Sequence, residues 1–178
     1  MLRKLLIAAL AIIALVCAII VLMVVFLFAQ LTPDQTPTYS VPLDMHGPTS
    51  TTRLKAWVIE PGLYAVTLRY PFADNVERDK AWALAGGYFL KDDVWSEPGS
   101  ALVFQVRIHD IPSGMEVLNQ QVVHPKLNSW ESNYLNAQLL RVKLEMGHYQ
   151  ISVQQEGRLA DTPPAALELQ FGKAPRPK

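Results

Sequence analysis

Four histidines, His46, His109, His124 and His148, are the side chains best suited to proton transfer or metal binding near neutral pH. None pairs with another at metal-ligand spacing, and the single cysteine, Cys17, lies in an apolar run. His109 is followed by Asp110, which would orient an imidazole, but no serine or cysteine nearby has the surroundings of a nucleophile. Asp74, Glu77 and Asp79 lack the alternate-residue spacing and turn glycine of a calcium loop. Helix capping accounts for Asp74 and Glu77 more simply, and the histidines read as solvated side chains. Asp92-Asp93 reads as a solvated loop. These residues point to no catalytic group, no cofactor and no metal. Binding has better candidates. The segment His124-Pro-Lys-Leu-Asn128-Ser-Trp130-Glu-Ser-Asn133-Tyr134 reads as a polar loop that holds two aromatic rings between strands. Aromatic side chains in polar loops make favoured interface anchors. Asn128, Trp130 and Tyr134 are therefore candidate partner-binding residues, and Trp95 in Asp-Asp-Val-Trp-Ser-Glu-Pro-Gly joins them. The competing reading folds Trp130 back as a lid on the open end of a sandwich.

The elements that must carry these residues are mostly strands. Tyr64, Val66, Leu68 and Tyr70 alternate with polar or small residues. So do Leu102, Phe104, Val106 and Ile108, then Leu140, Val142 and Leu144, then Tyr149, Ile151 and Val153, then Leu167, Leu169 and Phe171. Such alternation means one buried and one wet face, which is the pattern of antiparallel sheets. Short strands between Pro and Gly turns predict a mainly β fold, an antiparallel β-sandwich. One short helix interrupts it: Asp74-Asn-Val-Glu77 has the form of a capping box, and Gly86-Gly87 ends the run. An internal echo links Ile59-Glu60-Pro-Gly62-Leu-Tyr64-Ala-Val-Thr67 to Leu144-Glu145-Met-Gly147-His-Tyr149-Gln-Ile-Ser152. Each copy reads as strand, turn, strand, with a positive φ expected at Gly62 and Gly147.

Ahead of the strands, the twenty-five residues from Leu5 to Ala29 carry no charge and no proline. About 20 apolar residues span a bilayer core as a helix, so residues 1–30 read as an N-terminal transmembrane anchor, crossing the membrane through residues 5–29. A cleaved signal would have a shorter apolar core and small residues before Gln30, where Leu27 and Phe28 stand. Arg3 and Lys4 precede the run, and the next basic residue is Arg53. That asymmetry puts the N-terminus in the cytoplasm and the remainder outside. Residues 31–52, rich in Pro and Thr, read as a stalk, with a first edge strand around Tyr39-Ser-Val41-Pro42. Residues 53–174 form the folded domain and 175–178 a tail. With Arg3 and Lys4 set aside, fourteen basic residues face sixteen acidic ones, and no basic patch suggests nucleic acid. The exported part has no cysteine and no Asn-x-Ser/Thr site, which fits a bacterial inner-membrane protein facing the periplasm.

The segments Trp57-Val-Ile-Glu-Pro-Gly62-Leu-Tyr64, Leu68-Arg-Tyr70-Pro-Phe72 and Arg141-Val-Lys-Leu144-Glu-Met-Gly147-His-Tyr149, with the short helix ending at Gly86, resemble an uncharacterised family of bacterial exported, membrane-associated β-sandwich domains. The resemblance covers roughly residues 40–172. It implies a fold and an envelope location, and it carries no catalytic residues. The function expected is a non-catalytic module binding another envelope protein, such as an immunity protein or an accessory subunit of a membrane complex. A glycan- or lipid-binding module is the alternative, and an enzyme with a loop-borne site stands behind both.

Overall fold

The period-two segments become strands of two antiparallel sheets. The computed structural model describes residues 15–25, 36–43, 50–87, 89–91, 94–156 and 166–174. The chain divides into two units, Met1–Gln35 and Thr36–Lys178. In the first, residues 15–25 are helical (α1), and their apolar side chains are exposed. Among the described residues no helix is long and apolar enough to cross a membrane. Residues 5–14 and 26–29 of the expected span lie outside the described residues, as do His46, Asp92-Asp93 and the tail 175–178.

The second unit holds strands β1 (Tyr39–Pro42), β2 (Thr51–Val58), β3 (Gly62–Pro71), β4 (Phe89–Lys91), β5 (Val94–Ser96) and β6 (Val103–Asp110). They are followed by β7 (Glu116–Val123), β8 (Leu127–Trp130), β9 (Tyr134–Leu144), β10 (Gly147–Glu156) and β11 (Glu168–Lys173). Helix α2 (Asn75–Leu84) follows β3. One sheet has the order β1-β11-β3-β9-β8, the other β2-β10-β6-β7, and β4-β5 form a separate hairpin. The core lies between the inward faces of the two large sheets. Tyr64, Val66, Leu68 and Tyr70 of β3 meet Phe104, Val106 and Ile108 of β6, Ile151 and Val153 of β10, and Leu169 and Phe171 of β11, all essentially inaccessible. This is the expected β-sandwich; among the described residues of this unit it carries the one helix α2 and an extra small hairpin. The folded unit takes in Tyr39–Pro42, which pairs with β11 as an edge strand, so the sandwich begins inside the segment read as stalk.

The two echoed segments are where expectation and structure differ most. Neither Gly62 nor Gly147 has a positive φ; among the described residues those are Gly86, Gly99, Gly114 and His124. Nor is either segment a hairpin. β2 and β10 pair in one sheet while β3 and β9 pair in the other, so both turns are arches that carry the chain from sheet to sheet. The shared tyrosine explains the echo. Tyr64 Oη donates to the Glu60 carbonyl at 2.9 Å, and Tyr149 Oη donates to the Glu145 carbonyl at 3.1 Å. Each ring fills the arch and bonds back four residues upstream, as a tyrosine corner does in other sandwiches. At Gly147 the glycine makes room for the ring, since a Cβ there would lie 3.2 Å from the Tyr149 ring, whereas one on Gly62 would stand in ordinary contact, 3.9 Å from that of Tyr64. Tyr64→Phe and Tyr149→Phe should each cost about 1 kcal/mol, the net worth of one hydrogen bond plus the unmet carbonyl. Urea unfolding of the two variants checks this, and no loss in either would show that the bonds do not hold the arches.

Local rules also account for α2. Asp74 accepts from the Glu77 amide at 2.8 Å, and Glu77 reaches back to the Ala73 amide at 2.8 Å. The C-terminus closes as a Schellman motif: the Gly87 amide bonds the Trp82 carbonyl and the Gly86 amide the Ala83 carbonyl, with Gly86 at φ +61°. Ala81 and Ala85 are buried, so one side of the helix packs on the sandwich and the other is free to work.

Candidate functional site

Helical spacing puts Asn75, Arg78, Asp79 and Trp82 along one stripe of α2, flanking buried Ala81. Facing them are Trp130, Glu131 and Ser132 at the turn between β8 and β9. Phe72 and Leu135 complete an open cleft of about 440 Å³. Leu127–Trp130 is therefore a strand and not loop, and the loop is the short turn before Tyr134. The Glu131 amide bonds the Tyr134 carbonyl and the Phe72 amide bonds the Asn133 carbonyl, both at 2.9 Å, so the turn is tied to the strand that leads into α2. Trp130 pairs across the hairpin with Leu135 and remains 68% exposed. It is a rim residue and not a core lid.

Trp82 is positioned by glycine. A Cβ on Gly87 would lie 2.3 Å from Trp82 Nε1, so the indole lies directly on the Gly87 backbone. Gly87→Ala should swing the indole out of its place and reshape the cleft while the helix end survives, because Gly87 needs no positive φ. The expected result is an altered tryptophan emission spectrum with a melting temperature close to that of the wild type. An unchanged spectrum would show that the contact does not set the ring.

The four sequence candidates separate in space. Trp130 lines the cleft. Tyr134, adjacent to core-facing Leu135, points to the opposite, outer face of its sheet. There the Arg69 guanidinium lies 3.3 Å above its ring, and Arg69 also pairs with Glu168 at 3.4 Å. The Tyr134 hydroxyl donates to the Glu131 carboxylate, and that bond, more than partial burial, raises its pKa above the usual tyrosine value. Asn128 accepts from the Gln138 amide at 2.9 Å where the β8–β9 ladder bulges, a structural role. The backbone of Trp95 lies in β5. The cleft residues that sequence reasoning missed are Trp82, Arg78, Asp79, Asn75 and Phe72. Their signal was available as the spacing 75, 78, 79, 82 along a helix already recognised.

The histidines have local duties. His124 Nδ1 donates to the Ser100 carbonyl at 2.9 Å, in a residue at φ +51°, so it braces a loop. His148 lies in β10 with its ring 4.8 Å from that of Trp57. His109 Nε2 stands 3.7 Å from Glu116, and Asp110 does not orient it: that carboxylate caps a turn by accepting from Ser113.

A family model for a domain of unknown function, DUF5625, matches residues 40–172. The chain belongs to the DUF5625 family. The match spans both large sheets, α2 and the cleft. In structure, this DUF5625 chain is similar to the crystal structure of GEBA250068378 from Sulfurospirillum deleyianum, at 13% identity and a TM-score of 0.63, covering 82% of this chain and all of that one. That likeness establishes a shared fold. A β-glucosidase from Paenibacillus barengoltzii, at 14% identity and a TM-score of 0.29, aligns over 76% of this chain and 10% of its own. The infectious bursal disease virus Gx strain structure, at 9% identity and a TM-score of 0.32, aligns over 80% of this chain and 34% of its own. No curated protein matches the chain in sequence.

Proposed function

We propose that this DUF5625 chain is a non-catalytic binding module, anchored in the bacterial inner membrane by residues 5–29 and facing the periplasm. It grips another envelope protein through the cleft between α2 and the β8–β9 turn. The observation that carries the reading is Trp130, a large aromatic side chain held 68% exposed at the rim of a concave site. Exposed aromatic anchors beside pockets concentrate binding energy in protein interfaces. Arg78 and Asp79, ion-paired at 3.0 Å, supply a polar rim of mixed sign. The uncharged run around α1 and the basic residues before it support the anchor and its orientation.

A carbohydrate ligand is the second reading. Two indoles, Trp82 and Trp130, stand with the planar polar groups of Asn75, Arg78 and Asp79, a set that stacks on and hydrogen-bonds sugar rings. One experiment separates the two. The full chain carrying a photo-reactive amino acid in place of Trp130 is irradiated in envelope vesicles. A discrete protein adduct, absent when the same group replaces Gln154, supports the protein partner. No adduct, together with quenching of indole fluorescence by envelope oligosaccharides in the wild type but not in Trp130→Ala, gives the site to carbohydrate and overturns the first reading.

A further inference from the structure

The two large sheets have four edges, and three are guarded. β1 is four residues long and carries Pro42. β8 is four residues long and bulged between Leu127 and Ser129. β2 carries Arg53 and Lys55, and the Tyr39 hydroxyl occupies both the amide and the carbonyl of its Trp57, at 3.0 and 3.2 Å. Short strands, prolines, bulges, charges and covering groups are the usual defences against edge-to-edge pairing. The fourth edge, β7, is the least defended: its one charge, Glu116, and its one irregularity both lie at its first end. Its eight residues, Glu-Val-Leu-Asn-Gln-Gln-Val-Val, contain no proline, lysine or arginine, and among the described residues it pairs with β6 alone. The register shift in that pairing skips Val117, between Leu118 and Glu116, and leaves Leu118 to Val123 straight.

We propose that β7 pairs with β7 of a second copy of this chain, antiparallel about a two-fold axis at Gln120, so that two four-stranded sheets become one continuous sheet. Self-complementarity carries the inference. Leu118, Gln120 and Val122 lie opposite core residues Ile108, Val106 and Phe104 of β6, so they share the inner face. Val117, Asn119, Gln121 and Val123 share the outer face, where Val117 and Val123 are 45% and 52% exposed. A two-fold axis normal to the sheet must keep inner face with inner face, which allows only registers centred on a residue. Centred on Gln120, Leu118 meets Val122, Asn119 meets Gln121 and Gln120 meets itself within the straight stretch, and Val117 at the irregular end comes opposite Val123. Every apolar side chain faces an apolar one and every amide an amide, the pairs that stabilise cross-strand contacts. Centred on Asn119, Leu118 faces Gln120 and Val117 faces Gln121; centred on Gln121, Val122 faces Gln120 and Val123 faces Asn119. Both neighbouring registers put amides against aliphatic groups.

The test uses the full chain in detergent, in a Cys17→Ser background. Gln120→Cys, on an exposed residue at the axis, should oxidise to a covalent dimer at least tenfold faster than Lys55→Cys on the opposite edge of the same sheet. Asn119→Lys with Gln121→Lys sets like charges against each other across the axis. This pair should slow the Gln120→Cys cross-link at least tenfold and shift sedimentation from dimer to monomer. It should still unfold cooperatively, since both residues are exposed, and its melting temperature should no longer rise with protein concentration. Equal cross-linking through Gln120→Cys and Lys55→Cys overturns the proposal, and so does a wild-type monomer. A dimer that survives the two lysine substitutions uses another surface and overturns it as well. Should the lysine variant fail to fold, the comparison of the two cysteine positions decides alone.

Discussion

Gly86→Val should unfold the second unit, or cost it about 4–5 kcal/mol, the range in which a single substitution has an identifiable steric cause. The backbone at Gly86 has φ +61°, and a Cβ there would stand 1.7 Å from the Gly99 carbonyl oxygen. No rotamer relieves that contact, because the obstacle is backbone. Nor can the neighbour retreat. The Gly99 amide bonds the Gly86 carbonyl at 3.0 Å, Gly99 itself has φ +77°, and a Cβ on it would lie 2.3 Å from the His124 carbonyl oxygen. The end of α2, the strand-free stretch around Gly99 and the turn at His124-Pro125 are stacked backbone on backbone. Gly62→Val should cost less than about 1 kcal/mol, since a Cβ there meets only the edge of the Tyr64 ring at 3.9 Å. Gly147→Val should fall between, pressing on the Tyr149 ring at 3.2 Å. Chemical denaturation of the three variants gives the order, and a Gly62 effect equal to the Gly86 effect would show that this stack is not what the chain depends on. The same stack gives His124→Ala a stability cost, through its bond to Ser100, whereas His109→Ala should be nearly silent.

Trp130→Ala should weaken capture of the envelope partner by about 2 kcal/mol or more, roughly thirtyfold in Kd, as hot-spot aromatic residues do. Its stability should change by no more than about 0.5 kcal/mol, the usual range for surface positions, since the side chain is 68% exposed. Tyr134→Ala is the informative contrast. Its ring is on the other face of the hairpin, under Arg69, so its loss should disturb the Arg69–Glu168 arrangement without a comparable loss of binding. Titration of the photo-adduct partner, once purified, against the wild type and the two variants measures both effects. Equal losses from Trp130→Ala and Tyr134→Ala would place the interface on the outer face of the sheet and empty the cleft of its role. Unfolding by Trp130→Ala would restore the lid reading.

The strands that cross the core followed from side-chain alternation alone. β3, β6, β10 and β11 have apolar residues at every second position because both sheets press on them, and burial imposes a period of two. The helix followed in the same way, since its caps are local: Asp74 and Glu77 act within the first turn, and Gly86 within the last. β7 could not be found by that route. Gln120 takes an inward position, and an edge strand beyond the cover of the facing sheet has little reason to keep the alternation. β8 was hidden for the same reason, with Asn128 bulged out of its ladder.

Pairing between distant segments decided the rest. Both Glu-x-Gly-x-Tyr segments have the composition of a hairpin turn, and nothing within nine residues says whether the outgoing strand returns to the same sheet or crosses to the other. That choice belongs to β9, β10 and their partners, because an arch is favoured only when the opposite sheet is there to receive the strand and the tyrosine can bond back across the gap. The cleft has the same origin. A tryptophan at position 82 on a polar helix and one at 130 in a polar segment are far apart in sequence, and each alone reads as a lone exposed ring. They become one site because Ala81 and Ala85 seat α2 on the sandwich beside the β8–β9 turn, and the Gly87 backbone leaves no room for a Cβ beneath Trp82. Local chemistry specified which residues alternate and where the helix starts and stops; long-range packing specified which of them meet.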